Sequence, residues 1–168
     1  MEYRILTDTH FGHRKMEKLC GRPSDFERRI IENARRIIRP EDILIHLGDL
    51  YLYDSLPWVK LLMAIPMRAA WLIRGNHDTR SISAYMRMGF SCVCDRMDLH
   101  VYGNLVSLSH APLCENRGDG WVNVHGHLHG TRHHPDMSEF PGRRICVAIE
   151  ETDYEPVTLS KLLSEKGT

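Results

Sequence analysis

Five places in this 168-residue sequence close an apolar stretch with carboxylate, imidazole or carboxamide side chains. They are Asp8-Thr9-His10, Gly48-Asp49, Gly75-Asn76-His77-Asp78, Ser109-His110-Ala111-Pro112 and His125-Gly126-His127-Leu128-His129. A set with mixed nitrogen and oxygen donors suits divalent metals of hard to borderline character. Residues two apart, such as Asp8 and His10 or His127 and His129, point the same way on an extended chain. In a turn just past a strand they can instead splay towards two neighbouring ions. Asp49 has two oxygens with which to bridge ions roughly 3.5–4 Å apart, a spacing that activates a shared water and clamps the attacking and leaving oxygens of phosphoryl transfer. Each group alone has an ordinary structural reading. Asp-x-His after a strand is common turn chemistry, Gly-Asp and Gly-Asn are turn formers, and a lone His110 is more often a satisfied histidine than a ligand. All five together argue for metal. No glycine-rich phosphate cradle or GxSxG elbow offers another chemistry.

The stretches that must carry these residues alternate with helical patterns in the first half. Tyr3 to Thr7, Ile43 to Leu47 and Ala69 to Ile73 read as buried strands. Phe26, Ile30, Ala34, Ile37 and Ile38 share one helical face, behind a capping box at Ser24-Asp25-Phe26-Glu27 and ahead of Pro40. A helix from Leu56 to Ile65 has Pro57 in its first turn, and a short one from Ser81 to Met88 is closed by Gly89. Strands are expected at about 90–95, 98–102, 105–109, 121–125 and 144–149, and Thr158 is placed to cap a last helix through Ser164. The segment around 131–143, with His133 and His134, reads as a loop or irregular hairpin. Strand–helix alternation followed by a strand-rich half implies an α/β sandwich in one domain, residues 1–168. Ligands in open α/β sheets gather at the carboxyl ends of strands, and all five groups fall there.

Taken in order, Asp8-x-His10, Gly48-Asp49, Gly75-Asn76-His77-Asp78, His110 and Gly126-His127-x-His129 resemble the signature of the calcineurin-like metallophosphoesterases. The opening Asp8-Thr9-His10-Phe11-Gly12-His13 looks like a small, capless prokaryotic or phage branch. The resemblance implies a four-layer α/β/β/α sandwich. It implies that Asp8, His10 and His129 hold one ion, that Asn76, His110 and His127 hold the other, and that Asp49 bridges them. It places His77 at the phosphate, with Asp78 orienting its ring. It also implies two divalent ions (Mn favoured, with Fe, Zn, Ni or Mg compatible) and a small phosphate-ester substrate. The expected reaction is hydrolysis by a hydroxide bridging the ions, a nucleotide-like phosphodiester being favoured over a monoester. The alternative is a scaffold on the same fold, as in the retromer subunit; such modules tend to lose ligands, and none is missing here.

Other residues carry weaker signals. His13 is a candidate for touching the substrate phosphate, as is Arg74; a surface histidine and a surface-paired arginine are the plain alternatives. His46 and His125 read as core polar residues. Arg28, Arg29, Arg35, Arg36 and Arg39 line the first long helix, but Glu27 and Glu32 interrupt them. With 22 basic and 22 acidic residues, nucleic acid as a partner is compatible but not indicated by charge. Five cysteines, an odd number without an export pattern, suggest free thiols and a cytoplasmic location. Cys92-Val93-Cys94 lacks a second pair for a zinc site. No apolar run reaches membrane-span length.

Overall fold

The computed structural model describes residues 1–52, 55–115, 120–129 and 143–164. The expected loop around 131–143, with its two histidines, lies almost wholly outside them. The first sheet contains β1 (Tyr3–Leu6), β2 (Ile43–His46), β3 (Ala69–Ile73), β4 (Cys92–Cys94) and β9 (Val157–Thr158), in the order β4-β3-β2-β1-β9. β1 to β4 are parallel, and β9 runs antiparallel to β1. The second sheet is β5 (Arg96–Val101), β6 (Asn104–Ser109), β7 (Trp121–His125) and β8 (Arg143–Cys146), in that order. β5–β6 is an antiparallel hairpin, while β6, β7 and β8 are parallel. The stretch expected as strands from residue 90 to 102 therefore breaks at Asp95, where the chain crosses from one sheet to the other.

Alternation along the first sheet builds two cores. Leu6, Leu44, Ala70 and Leu72 point to one face and meet α2 (Phe26–Ile37), α3 (Leu56–Met63) and α4 (Ile82–Arg87) through Phe26, Ile30, Ala34, Leu62 and Tyr85. Ile5, Ile43, Ile45 and Ile73 point to the other face and pack on Val106, Leu108, Val122 and Val124 of the second sheet. Leu159 and Leu163 of α5 (Leu159–Ser164) enter this second core. The result is an α/β sandwich of two mixed sheets flanked by helices, the expected class.

Local details differ from the sequence reading in instructive ways. α2 has no capping box. Asp25 stands at its N-cap without a side-chain cap bond and takes Arg28 and Arg29 instead, while the Glu27 carboxylate accepts the Gly12 N–H at 2.7 Å. Glu27 thus ties the helix to the loop that follows His10. Thr158 ends β9, and its hydroxyl accepts a hydrogen bond from Arg4 Nη1 at 2.6 Å. A short helix, α1 (Met16–Leu19), was not foreseen. α4 is capped by Ser81, whose Oγ accepts from Ala84 N. The basic face of α2 is a solvated ion-pair lattice: Arg28 and Arg29 pair with Asp25, and Arg36 with Glu155.

Candidate metal centre

Six of the parallel strands, three from each sheet, each deliver a polar residue from the carboxyl end to one place. β1 leads to Asp8 and His10, β2 to Asp49, and β3 to Asn76 and His77. β6 leads to His110, β7 to His127 and His129, and β8 to Glu150. The turns that follow the strands are unusual. Asp8, His10, Asp49, His127 and His129 all have positive φ, between 44° and 72°. A left-handed residue directly after a strand swings its side chain off the pleat and inward, which alternation alone would not do. Close backbone approach does the rest. A Cβ on Gly75 would lie 2.2 Å from Asp49 Oδ1, and one on Gly126 would lie 2.2 Å from Asp8 Oδ2.

The side chains form two groups. Asp8, His10 and His129 bring one donor atom each within 4.8 Å of one another, and so do Asp49, His110 and His127. His10 Nε2 is 3.2 Å from His129 Nε2, and His127 Nδ1 is 3.0 Å from His110 Nε2. Asn76 joins the second group, its Oδ1 3.1 Å from His110 Nε2. Asp49 Oδ2 stands between the groups, 3.4 Å from His10 Nε2 and 3.4 Å from His110 Nε2.

The lone pairs in this arrangement face one another. The Leu47 carbonyl can only accept, so His110 Nδ1 donates to it at 2.8 Å. A neutral His110 then turns a bare Nε2 towards two acceptor oxygens, Asn76 Oδ1 and Asp49 Oδ2. Asp8 Oδ1 and His10 Nδ1 are buried without a hydrogen-bond partner among the described residues. Electrostatics tell the same story. Burial raises the Asp8 carboxyl above its ordinary range, and the neighbouring His110 and His129 do not offset it. Burial pushes His10 down to about 2. Burial works against charge on Asp49 too, but the His110 contact, the His77 N–H and His10 hold it well below the usual carboxylate range. His110 is shifted up despite burial, because Asp49 and Asp8 face it. Buried carboxylates beside imidazoles such as His10 and His127, whose charged forms burial disfavours, are the environment that a divalent cation satisfies. The donor set therefore fits metal.

A family model for calcineurin-like phosphoesterases matches residues 1–165. The chain belongs to the calcineurin-like phosphoesterase family. That family is metal-dependent and acts on phosphate esters, in keeping with the two donor groups. An uncharacterized protein of Methanocaldococcus jannaschii is 31% identical over 175 residues, covering 97% of this chain and 91% of the relative. A protein of unknown function from Aquifex aeolicus has a crystal structure that superposes with a TM-score of 0.81 at 23% identity, covering 96% of this chain and 97% of that one. The Pseudomonas putida nuclease MPE shares the fold more loosely, with a TM-score of 0.51 at 17% identity over 75% of this chain and 60% of its own. Among the described residues, no helix of this family member is long and apolar enough to cross a membrane.

The remaining expected residues fall around the two groups. His77 is exposed, its ring centroid 5.4 Å from that of His10 and 6.4 Å from that of His13. His13 sits 5.6 Å from His10, and its Nδ1 has no hydrogen-bond partner among the described residues. Asp78 does not engage the His77 ring. Its Oδ2 accepts the N–H groups of Asp49 and Gly75, at 2.7 and 2.8 Å, and its Oδ1 accepts that of Leu50 at 3.1 Å. Asp78 therefore fixes the Asp49 turn against the Gly75 turn. Arg74 is ion-paired with Asp95 at the end of β4, the surface pairing that was the plain alternative. His46 is fully buried and relays between turns: Gly48 N–H donates to its Nδ1, its Nε2 lies 3.0 Å from Thr9 Oγ1, and Thr9 donates to Leu50 O.

Sequence reasoning missed Arg22 and Glu150. The Arg22 side chain is 0% exposed. It donates to the carbonyls of Asp8 and Thr9, at 2.8 and 3.1 Å, and to Glu150 Oε1 at 2.7 Å. Glu150 Oε1 also lies 3.3 Å from His129 Nδ1, which orients that ring with Nε2 towards Asp8 and His10. Burial opposes the charge on Glu150, but His129 and Arg22 hold it down at about 2. The signal for Glu150 was present: an acidic residue at the end of an expected strand. Nothing in the sequence marked Arg22.

Proposed function

We propose that this centre hydrolyses phosphate esters with two divalent ions, one held by Asp8, His10 and His129 and the other by Asn76, His110 and His127, with Asp49 shared. The observation that supports this most directly is the position of Asp49 Oδ2, equidistant from a ring nitrogen of each group. Ions bound there supply Lewis acidity to phosphoryl oxygens and lower the pKa of a coordinated water. The protein's own residues supply the rest. Asp49 contributes an ionised carboxylate common to both groups. Arg22 and Glu150 lock the His129 ring, and Asp78 locks the turn that carries Asp49, so the donors are positioned before substrate arrives. His77 stands exposed beside His10 and His13, where it can neutralise developing charge or give a proton to the leaving oxygen. His13 faces the same opening and is suited to a non-bridging phosphate oxygen.

We favour manganese, because imidazole, carboxylate and carboxamide donors mix; Fe, Zn, Ni and Mg remain compatible. We favour a phosphodiester, nucleotide-like in size, because Asn76 and His77 are exposed beside the donor groups, so the site is open among the described residues. The test uses metal-stripped protein with Mn²⁺ restored, assayed on bis-p-nitrophenyl phosphate and p-nitrophenyl phosphate, beside Asp49→Asn and His77→Ala. Metal-dependent turnover of the diester, lost in Asp49→Asn and reduced by about 10²-fold or more in His77→Ala, is the expected result. Turnover of the monoester alone would reverse the preference. No turnover of either by protein holding two ions would overturn the catalytic reading and favour a scaffold.

A further inference from the structure

Beside the two groups lies a third, which shares His129 with the first and adds Cys20, a residue the proposed reaction does not use. Cys20, His129 and Glu150 also bring one donor atom each within 4.8 Å of one another. Cys20 follows α1 and is half-buried, so an ion arriving from solvent can reach it. Glu150 has a free acceptor for the purpose. Its Oε1 is engaged by Arg22 and His129, but its Oε2 is buried with no hydrogen-bond partner among the described residues. Thiolate, imidazole and carboxylate are the three protein ligand types of zinc, and three of them with one open position form a recurrent zinc arrangement.

His129 belongs to both groups, and it cannot serve both at once. A neutral imidazole carries one lone-pair nitrogen and one N–H. With the proton on Nδ1, facing Glu150 Oε1 at 3.3 Å, the lone pair on Nε2 points towards His10 Nε2 at 3.2 Å and belongs to the Asp8 group. With the proton on Nε2, the lone pair on Nδ1 belongs to the Cys20 group and the Asp8 group loses a ligand.

We propose that Cys20, His129 and Glu150 form a third metal site, selective for thiophilic divalent ions such as zinc, whose filling withdraws His129 from the Asp8–His10 group and so inhibits the enzyme. The balance is simple: the ion binds, the Cys20 thiol releases its proton to buffer, and the His129 proton moves from Nδ1 to Nε2. Hard ions such as Mn²⁺ and Mg²⁺ prefer the oxygen- and nitrogen-rich groups and leave the thiol alone, whereas zinc competes for it. The inhibition goes beyond the hydrolytic reading, and the binding half of its test does not depend on activity.

The experiment titrates metal-stripped protein with Co²⁺ and follows the thiolate-to-cobalt charge-transfer band in the near ultraviolet. The wild type is expected to show the band. Cys20→Ser and Cys20→Ala are expected to lose it while keeping the visible ligand-field bands of cobalt in the other groups. Mn²⁺-loaded protein is then exposed to added Zn²⁺. The inhibitory concentration should rise by about 10-fold or more in both variants if the thiolate anchors the ion. A band that persists in both variants places the thiolate at another cysteine and overturns the site. No band in the wild type overturns it as well. A band lost in the variants with unchanged zinc inhibition retains the site and refutes its competition with the Asp8 group. Absence of turnover of either ester would sink the hydrolytic reading while leaving the cobalt result to stand or fall alone.

Discussion

Gly126→Ala tests the claim that close backbone approach, and not only ligand identity, builds this centre. The residue has no unusual φ, so alanine brings no backbone strain, and its whole effect is one methyl group. That Cβ would stand 2.2 Å from Asp8 Oδ2, 2.3 Å from Thr7 Oγ1 and 2.9 Å from Thr7 Cγ2, where ordinary contact begins at 3.4 Å. The Asp8 carboxylate must retreat by about 1 Å, several times the ~0.2 Å tolerance of a metal ligand. It is fully buried, so it has no solvent to move into. Retreat also breaks two hydrogen bonds to Oδ2, from Thr7 Oγ1 and from His127 N, each 2.9 Å. Bonds to a charged acceptor are worth roughly 1.5–3 kcal/mol each, so a loss of about 3 kcal/mol after partial relaxation is expected. In a chain of this size that lowers Tm by roughly 6–12 °C. Displacement of a positioned group by this much costs about 10²-fold in turnover. Thermal unfolding, metal content after reloading and diester kinetics read these separately. A variant that retains both ions and turns over within about threefold of the wild type would show that the backbone packing is incidental to the donor geometry.

Glu150→Gln removes the charge that pairs Arg22 and orients His129. Metal affinity at the Asp8 group should fall by about 10–100-fold, read by competition with a chelator. Arg22→Ala leaves Glu150 without its guanidinium and the Asp8 and Thr9 carbonyls without their donor, so denaturant unfolding should show a loss of about 3–5 kcal/mol. Asp42→Asn should separate stability from function, since Asp42 lies at the end of the sheet away from the metal groups. Burial would raise its carboxyl, but Arg4 and the N–H groups of Glu2 and Arg39 hold it below the usual range. Its contribution is present at neutral pH and is lost only as pH falls below about 4; the variant should lose about 2–3 kcal/mol at pH 7 with kcat/KM unchanged. His46, fully buried, is pushed down by burial to about 3 from an ordinary value near 6.5. Its stabilisation is full above pH 6.5 and declines towards pH 3, so about 2 kcal/mol should disappear between pH 7 and pH 5. His46→Asn should show a correspondingly flatter pH dependence in denaturant titrations.

The candidate ligands were legible in the sequence because each follows an apolar run that is short, buried and easy to recognise. Ile43 to Leu47 and Ala69 to Ile73 are flanked by turn residues, and the candidate metal-binding side chains sit in the turns. The assignment of ligands to two groups was not legible from spacing. Asp8 and His10 share a group, while Asp49 sits between groups, because five left-handed residues redirect side chains in ways that alternation does not reveal. Arg22 was invisible for a different reason. It acts through carbonyls of Asp8 and Thr9, and a contact to backbone places no constraint on the partner's residue type. Glu27 and Asp78 show the converse. Each was given a local role, a capping box and a ring-orienting carboxylate, and each is used across the fold instead, on Gly12 N in one case and on three turn amides in the other. Local patterns name the nearest acceptor, and tertiary packing chooses among the available donors.

The left-handed turns explain why so much hydrogen bonding surrounds so few ligands. A non-glycine residue at positive φ costs on the order of 1 kcal/mol or more, and persists where its surroundings over-determine it. The surroundings here are unusually complete. The Asp8 turn is held by Gly48 O on its N–H, by Arg22 on its carbonyl and by Thr7 and His127 on its carboxylate. The Asp49 turn is held by Asp78 on its N–H, and its Oδ1 accepts from His77 N. Neither set of contacts needs an ion. The protein's own hydrogen bonds therefore fix the backbone of both turns, and buried atoms such as Asp8 Oδ1 are left without a hydrogen-bond partner among the described residues. Preorganisation of this kind lets binding energy go into coordination instead of folding the turns, and it leaves the choice of ion to donor chemistry and supply.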